Sequence, residues 1–199
     1  MKDHVDSYFE GLYNALETVQ CTGPQGEVLS RVDAYEKTLR IALKATERGG
    51  KQMFIGNGGS AGICSHMAID FSKNGGMPAM CFNDAAALTC LGNDLGYEEV
   101  FAEQLRFHAH EDDVLFAISS SGASQSILRA VKAVRKIGCS VITMSGFRAD
   151  NPLRQMGDVN FHIGLSDYGI VEVAHTALIH AVVGLKRAGW LVTQGLVAD

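Results

Sequence analysis

The sequence predicts an α/β protein, a three-layer α/β/α sandwich built around about five parallel strands. Three observations predict this class. After residue 50, short apolar runs alternate with longer segments of helical spacing. The short runs are apolar throughout rather than at every second residue, which is typical of parallel strands covered on both faces. The chain has 199 residues, of which 47% are apolar and 20% charged, enough for one folded domain with a sizeable core.

The N-terminal part, about residues 1–50, is predicted to be a pair of amphipathic helices at 3–20 and 29–48. Apolar residues from Leu29 to Leu43 recur at helical spacing, and Gly49 and Gly50 end the run. The segment 21–26 between them reads Cys-Thr-Gly-Pro-Gln-Gly and is predicted to be a loop. We expect this helical pair to belong to a single domain spanning residues 1–199.

The remaining chain carries the predicted sheet. Strands are predicted at 52–55, 79–82, 114–118, 141–144 and 159–163. Helices are predicted at 61–72, 98–107, 124–137 and 169–188. Because sheets of this kind bind ligands beyond the carboxyl ends of their strands, the loops after the first, third and fifth strands are the candidate functional segments.

Composition excludes several classes of function. Seventeen Lys and Arg against 22 Asp and Glu give a net charge of −5, too acidic for nucleic-acid binding through bulk charge. No apolar run reaches the roughly 20 residues that span a bilayer, and the polar start lacks a secretory signal. The five cysteines are widely spaced without a Cys-x-x-Cys pair, which suits a reducing compartment. We therefore expect a cytoplasmic protein with no nucleic-acid or membrane partner.

Two loops of small residues follow predicted strands. The first, Gly-Asn-Gly-Gly-Ser-Ala-Gly at 56–62, lets a ligand approach the backbone and leaves free N–H groups at a helix start. The second, Ser-Ser-Ser-Gly-Ala-Ser at 119–124, offers four hydroxyls and helix amides that can bind phosphate without a cation. Either loop alone is often only a turn and a cap. Two of them, each after a buried strand, favour a phosphate site.

Two other motifs fit the first loop less well. Gly56, Gly58 and Ala61 loosely match a dinucleotide fingerprint, but its acidic residue, expected about 20 positions on, could only be Asp84, which comes late. Gly58-x-Ser60-x-Gly62 matches a nucleophile elbow, but that motif comes after several strands rather than after the first.

Four motifs in a fixed order resemble the sugar isomerase (SIS) domain family, and within it the sedoheptulose-7-phosphate (phosphoheptose) isomerases. They are GNGGSA at 56–61, LGND at 91–94, SSSGAS at 119–124 and EVAHTALIH at 172–180. The resemblance implies a flavodoxin-like strand order and the interconversion of a ketose phosphate with an aldose phosphate. It also implies one zinc ion per site and a homotetramer with active sites at subunit boundaries.

The resemblance also assigns roles to individual residues. Substrate would be bound by Asn57, Gly58, Gly59, Ser60, Asn93, Asp94, Ser119, Ser120, Ser121 and Ser124. The metal ligands would be His66, Asp70, Glu172 and His180. Asp70 would be the base of an enediol mechanism, with Glu172 as second candidate, and His180 would be the acid.

The chain departs from the family pattern at several of these positions. Asp70 stands for a Glu, Glu172 for a Gln, Asn74 for an Arg, Ala123 for an Asn, and Gly169-Ile170 for an Asp-Arg pair. These changes keep open an alternative, a non-catalytic sugar-phosphate-binding or scaffold protein similar to the SIS relatives that regulate replication initiation. The presence of both His66 and His180 favours the enzyme.

Spacing constrains the predicted metal site. His66 and Asp70 are four residues apart and lie on one face of a helix, which suits a shared divalent ion. Glu172 and His180 are eight residues apart, roughly 12 Å along a straight helix. Either Glu172 lies at a distorted helix start or neighbouring subunits complete the site. The remaining candidates are predicted to be structural: the charged turn at 108–113 solvated, His162 and His175 in the fold, and Trp190 with the apolar tail in packing.

Overall fold

The computed structural model describes residues 2–193. Within these residues the strands are β1 Gln20–Thr22, β2 Val28–Leu29, β3 Gln52–Gly56, β4 Ala79–Cys81, β5 Val114–Ser119, β6 Ser140–Gly146 and β7 Val159–Ile163. The helices are α1 Lys2–Glu17, α2 Arg31–Glu47, α3 Gly59–Lys73, α4 Ala85–Leu95, α5 Val100–His108, α6 Gln125–Ile137, α7 Tyr168–Arg187 and α8 Trp190–Thr193.

The strands form one sheet in the order β2-β1-β7-β6-β5-β3-β4. From β7 to β4 all neighbours are parallel. The predicted α/β class, five parallel strands and flavodoxin-like order are therefore confirmed. Every residue of β3, β5 and β7 is buried, which explains why β3 and β5 are almost entirely apolar. The strand β7 is not apolar throughout, because it buries Asn160 and His162 beside the polar side chains of Thr143 and Ser145.

The sheet is covered on both faces. On one face α2, α3 and α7 enclose a core in which the rings of Phe54 and Phe116 stack with centroids 4.8 Å apart. On the other face α5 and α6 pack on Ile55 and Leu115. Because these strands are parallel, their carboxyl ends lie at the same edge of the sheet. The two loops of small residues follow the strands at that edge.

The loop predicted at 21–26 was only partly right, because residues 23–26 lie in the turn between β1 and β2 whereas Cys21 and Thr22 belong to β1. β1 is antiparallel to β7, with Gln20 opposite His162, and β2 adds a further edge strand. Leu29 therefore belongs to β2 rather than to the following helix, which begins after its cap Ser30. Strands of three and two residues are too short to show periodicity, and they are fixed by pairing with β7 rather than by their own sequence.

The helix α4 was not predicted. Asp84, weighed as part of a dinucleotide motif, is its N-cap and accepts a hydrogen bond from Ala87 N at 2.9 Å. The charged turn before β5 is also more ordered than predicted. Asp113 is buried there and accepts hydrogen bonds from Lys51 N at 2.8 Å and Lys51 Nζ at 2.7 Å. This pair joins the start of β5 to that of β3.

Two apolar segments lie near the C-terminus, the helix α7 and the tail that begins at Trp190. By length and composition alone α7 could cross a membrane, a test that core helices also pass. Its residues Val171 and Ile179 are fully buried in the core. Trp190 packs partly against the same core, as predicted, and Leu191 is buried. Residues 194–197 of the predicted apolar tail lie outside the described residues.

Candidate active site

The two loops of small residues converge on one cleft at the carboxyl ends of β3 and β5. The cleft has a volume of about 210 Å³. It is lined by Asn57, Gly58, Gly59, Ser60, Ile118, Ser119, Ser120, Ser121, Ser124, Tyr168 and Glu172. Eight of the ten residues predicted to bind substrate are in this set, so the loops face a common space, as the phosphate hypothesis requires.

The serine loop presents hydrogen-bond donors to this space. Ser120 Oγ is buried and has no partner among residues 2–193. Ser124 is the N-cap of α6 but its side chain caps no amide, so the first N–H groups of that helix are open. Among the described residues no Lys or Arg lines the cleft. An anion here would be bound by hydroxyls, amides and the helix dipole rather than by a cation.

Gly122 fixes the curvature of the serine loop. Its φ is +62°, and a Cβ at this position would lie 1.9 Å from Asn151 Oδ1. Its N–H donates to the Ser119 carbonyl at 3.0 Å, and its own carbonyl accepts from Leu153 N at 3.0 Å. The loop is thus held from behind by the segment that follows β6.

A buried polar network lies behind that segment. Asn151 donates to the carbonyl of Arg148 at 2.8 Å, and Ser145 Oγ lies 3.3 Å from His162 Nδ1. His175 Nε2 donates to the Ser145 carbonyl at 3.1 Å. Burial lowers the pKa of His175 to about 4, and burial followed by the charge of Arg154 lowers the pKa of His162 to about 4. Both rings are therefore neutral near pH 7, and both are inside the fold.

The first loop is also anchored by side chains. Asn57 Oδ1 accepts from the Tyr97 hydroxyl at 2.7 Å, and Asn57 Nδ2 donates to Ser126 Oγ at 3.0 Å. Because both ends of this amide have partners, Asn57 ties the loop to α6 and to the segment before α5. Gly58, with φ +55°, then turns the chain into α3.

Glu172 lies in the same cleft, in the first turns of α7. Asp167 caps that helix by accepting from Ile170 N at 2.9 Å. The Glu172 carboxylate packs against Gly59, where a Cβ would lie 2.2 Å from Glu172 Oε2. The carboxylate therefore sits at the N-terminus of α3, the end of a helix that favours negative charge.

A second polar cluster lies farther along α3 and α7. The Nε2 atoms of His66 and His180 are 3.1 Å apart. On the other side of its ring, His180 Nδ1 lies 3.4 Å from Asp70 Oδ2. Asp70 is buried, and its other oxygen accepts from the Asn74 side chain. The cluster is a carboxylate followed by two imidazoles, with His180 between the other two groups.

The predicted metal set is only partly brought together. His66, Asp70 and His180 are neighbours, whereas Glu172 lies two turns earlier on α7, against Gly59. Since α7 is helical from Tyr168 onward, the alternative of a distorted start at Glu172 is wrong. Within residues 2–193 no group of three or more His, Cys, Asp or Glu side chains is arranged to hold a metal ion. The four-residue set stays a prediction.

Asn93 and Asp94 do not line the cleft. Both are exposed on α4, where Asn93 Nδ2 donates to Asp94 Oδ1 at 2.8 Å. α4 contains Ala85–Ala87, Leu88 and Leu91, yet none of its residues is buried. Leu88 and Leu91 nevertheless pack partly against the core, and the exposed apolar residues of α4 are Ala85, Ala86 and Leu95.

Residues 27–146 match the family model described as SIS domain, and this match includes both loops. The chain belongs to the SIS domain family. Phosphoheptose isomerase of Campylobacter concisus is 32% identical over 175 residues, covering 85% of this chain and 91% of the relative. Phosphoheptose isomerase of Solidesulfovibrio magneticus is 36% identical over 163 residues, covering 77% of this chain and 73% of the relative.

Solved structures agree. Phosphoheptose isomerase GmhA from Neisseria gonorrhoeae superimposes with a TM-score of 0.81 at 28% identity, covering 93% of this chain and 98% of that one. A phosphoheptose isomerase from Francisella tularensis gives a TM-score of 0.80 at 25% identity, covering 94% of this chain and 97% of that one. Both results confirm the resemblance and the fold predicted from the motifs.

Three residues of this SIS domain were not predicted from sequence. Tyr168 lines the cleft, and its position four residues before Glu172 on a helix was the signal that could have found it. Tyr97 and Asn151 hold the loops by contacts 40 and 29 residues away in sequence, with Asn57 and Gly122 respectively. No local pattern indicates such contacts.

Proposed function

We propose that this SIS protein is an aldose–ketose isomerase that converts sedoheptulose 7-phosphate to glycero-manno-heptose 7-phosphate. The proposal rests on one observation, that two sites lie next to each other along α3 and α7. One is a cleft of hydroxyls and amides suited to phosphate, and the other is the cluster of Asp70, His180 and His66. The phosphoheptose isomerases among its relatives support the same reaction.

The distance between the two sites favours a long substrate. Gly59 in the cleft and His66 in the cluster are seven residues apart on α3, which is roughly 10 Å at 1.5 Å per residue. A substrate with its phosphate in the cleft must span this distance to place its carbonyl carbon beside the histidines. A seven-carbon sugar phosphate in extended form can do so, whereas a triose phosphate is too short.

The cluster supplies the groups that an enediol mechanism needs. A base must remove a proton from the carbon next to the carbonyl, and an acid must act at the carbonyl oxygen. We assign Asp70 as the base and His180 as the acid. Because His180 Nδ1 lies 3.4 Å from Asp70 Oδ2, the acid acts through Nε2, and a zinc ion bound at Nε2 would polarise the carbonyl oxygen in its place. Glu172 lies two turns away at the phosphate end, which argues against its role as base in the same subunit.

We also propose that His66 and His180 hold a zinc ion. Two nitrogens bound to one tetrahedral zinc are about 3.3 Å apart. The 3.1 Å between the Nε2 atoms of His66 and His180 fits that value. A bound zinc ion would stabilise the negative charge that develops on the substrate oxygen. Metal analysis of the purified protein and of the His66→Ala variant tests this assignment, and equal zinc contents would contradict it.

We propose further that the protein is a cytoplasmic homotetramer whose sites lie at subunit boundaries. His180 is exposed at 43% of its side chain, although it belongs to the polar cluster. The outer face of α1 exposes Phe9 and Tyr13, and α4 is apolar without a buried residue. A neighbouring copy covering these faces would bring Asn93 and Asp94 toward a site. All five cysteines are free thiols, which suits the cytoplasm.

The proposed reaction is tested by incubating the purified protein with sedoheptulose 7-phosphate, with and without zinc, and measuring the aldose product. We expect turnover on this ketose phosphate, slower turnover on five-carbon analogues, and a fall of kcat of about 100-fold in Asp70→Asn. Glu111→Gln, at the opposite end of the sheet, is the control variant. Binding without turnover on any five- to seven-carbon ketose phosphate would favour the non-catalytic alternative.

A further inference from the structure

Tyr168 is an aromatic residue of the cleft with no assigned role. It is the first residue of α7, where Asp167 caps the helix, and it lines the cleft beside the serine loop. The side chain is exposed, and its hydroxyl makes no hydrogen bond to any residue in the described part of the chain. A phenol in a cleft of this size offers an apolar ring and a free O–H donor together.

The ring of Tyr168 is held in place by Phe147. The two rings meet edge to face, with centroids 4.7 Å apart and planes at 82°. Phe147 directly follows β6, and its N–H donates to the carbonyl of Leu165 at 3.0 Å. This bond joins the loops after β6 and β7 at Phe147, the residue whose ring contacts Tyr168.

The backbone of Phe147 is strained. Its φ is +60°, and it is the one non-glycine residue between 2 and 193 with a positive φ. A bulky residue rarely adopts this conformation, and it persists only where surrounding contacts fix it. Such strain is concentrated at ligand sites, and here it directs an aromatic ring against a residue that lines the cleft.

The residues that line the cleft indicate a role for Tyr168. Within residues 2–193 no cation lines the cleft, while Glu172 contributes a carboxylate, so a phosphate there depends on neutral donors. We propose that Tyr168, positioned by Phe147, is a further substrate-binding residue. Its hydroxyl donates a hydrogen bond to the phosphate, and its ring shields the outer side of the cleft from water. This assignment rests on the proposed function, in which the cleft binds the phosphate of a sugar phosphate.

Three variants separate the parts of this assignment. Tyr168→Phe removes the hydroxyl, Tyr168→Ala removes the ring as well, and Phe147→Gly removes the positioning ring while relieving the strained backbone. Phe107→Ala is the control, because Phe107 is equally exposed but lies on α5, outside the cleft lining. The KM and kcat for sedoheptulose 7-phosphate are measured, with calorimetric binding of the same sugar phosphate and of inorganic phosphate.

We expect Tyr168→Phe to raise KM about fivefold, the worth of one hydrogen bond, and Tyr168→Ala to raise it further. In both variants kcat should stay within about twofold of wild type, since the reacting carbons lie away from the phosphate. Phe147→Gly should raise KM in the same direction, and Phe107→Ala should leave it unchanged. A merely structural Tyr168 would lower stability without changing KM.

Unchanged KM and binding in Tyr168→Ala would overturn the assignment, even if the wild-type protein is an active isomerase. If the wild type binds the sugar phosphate without turnover, the proposed reaction fails separately, and weaker binding by Tyr168→Ala still supports the assignment. A wild-type protein that binds neither the sugar phosphate nor inorganic phosphate would overturn both.

Discussion

Glu172 places a carboxylate in a cleft whose amides and hydroxyls suit an anion. Two unit charges 4 Å apart repel by about 1 kcal/mol in water and by several times more near a protein surface. The N-terminus of α3 at Gly59 offsets part of this repulsion for either anion, but one helix end cannot serve both fully. Glu172 is therefore expected to limit the affinity of the cleft for phosphate.

Replacing this charge should strengthen substrate binding. We predict that Glu172→Gln, which keeps the shape of the side chain, lowers KM about fivefold while kcat changes little. Steady-state kinetics at two salt concentrations measure the effect, which should shrink at higher salt because charge repulsion is screened. A fall in kcat of tenfold or more would instead mean that Glu172 takes part in proton transfer or metal binding.

Gly122 allows a test of how the serine loop is shaped. Gly122→Ala combines a left-handed φ with a Cβ 1.9 Å from Asn151 Oδ1, whereas Gly26→Ala has a φ of +79° and open space. We predict that Gly26→Ala costs about 1 kcal/mol of folding free energy with KM unchanged. Gly122→Ala should cost more and raise KM, because the loop must move. Urea denaturation and kinetics compare them, and equal losses with equal KM values would contradict the crowding at Gly122.

At the scale of elements, burial decides which parts were predictable. β3 and β5 are buried at every residue, so their uninterrupted apolar sequence predicted them and placed the two loops at their ends. β1 exists through its pairing with β7 and had no local signal. The helix α4 had one, the cap Asp84 before three alanines, although none of its residues is buried. The cluster of His66, Asp70 and His180 joins α3 to α7, and only folding sets which nitrogen of His180 faces Asp70.

The cap of α7 links helix stability to the cleft. Asp167 caps α7 and Ser30 caps α2, each by accepting from an amide at 2.9–3.0 Å. We predict that Asp167→Ala and Ser30→Ala each lower the free energy of unfolding by about 1 kcal/mol. Only Asp167→Ala should also raise KM, because the first turns of α7 carry Tyr168 and Glu172. Kinetics on both variants check this, and an equal rise in KM would show that general stability, not the position of α7, controls binding.

At the scale of the whole molecule, the candidate functional loops lie at one edge of the sheet, where the parallel strands end. The serine loop lies on top of the buried network of Ser145, Asn151, His162 and His175, which connects β6 and β7 to α7. The opposite edge carries the Lys51–Asp113 pair, which only joins strands. Because the network under the loop contains two neutral histidines, the same residues that support the cleft should make the fold sensitive to acid.

The sign of that sensitivity follows from the pKa values of His162 and His175, each lowered from 6.5 to about 4 by burial. In the unfolded chain these rings take up protons as pH falls through 6.5, while in the folded protein they stay neutral until about pH 4. The unfolded state thus binds more protons in this window. The stability that the two neutral rings contribute is therefore fully present above pH 6.5 and is lost as pH falls toward 4.

Between pH 7 and pH 5 each histidine should remove about 2 kcal/mol from the free energy of unfolding. Urea denaturation of wild type, His162→Gln and His175→Gln at both pH values measures the difference. On acidification from pH 7 to pH 5, each variant should lose about 2 kcal/mol less stability than the wild type loses, whatever its stability at pH 7. His4→Gln, an exposed site on α1, is the control and should keep the wild-type dependence. If both buried variants keep it too, the acid sensitivity arises elsewhere and these rings are already charged or solvated in the folded protein.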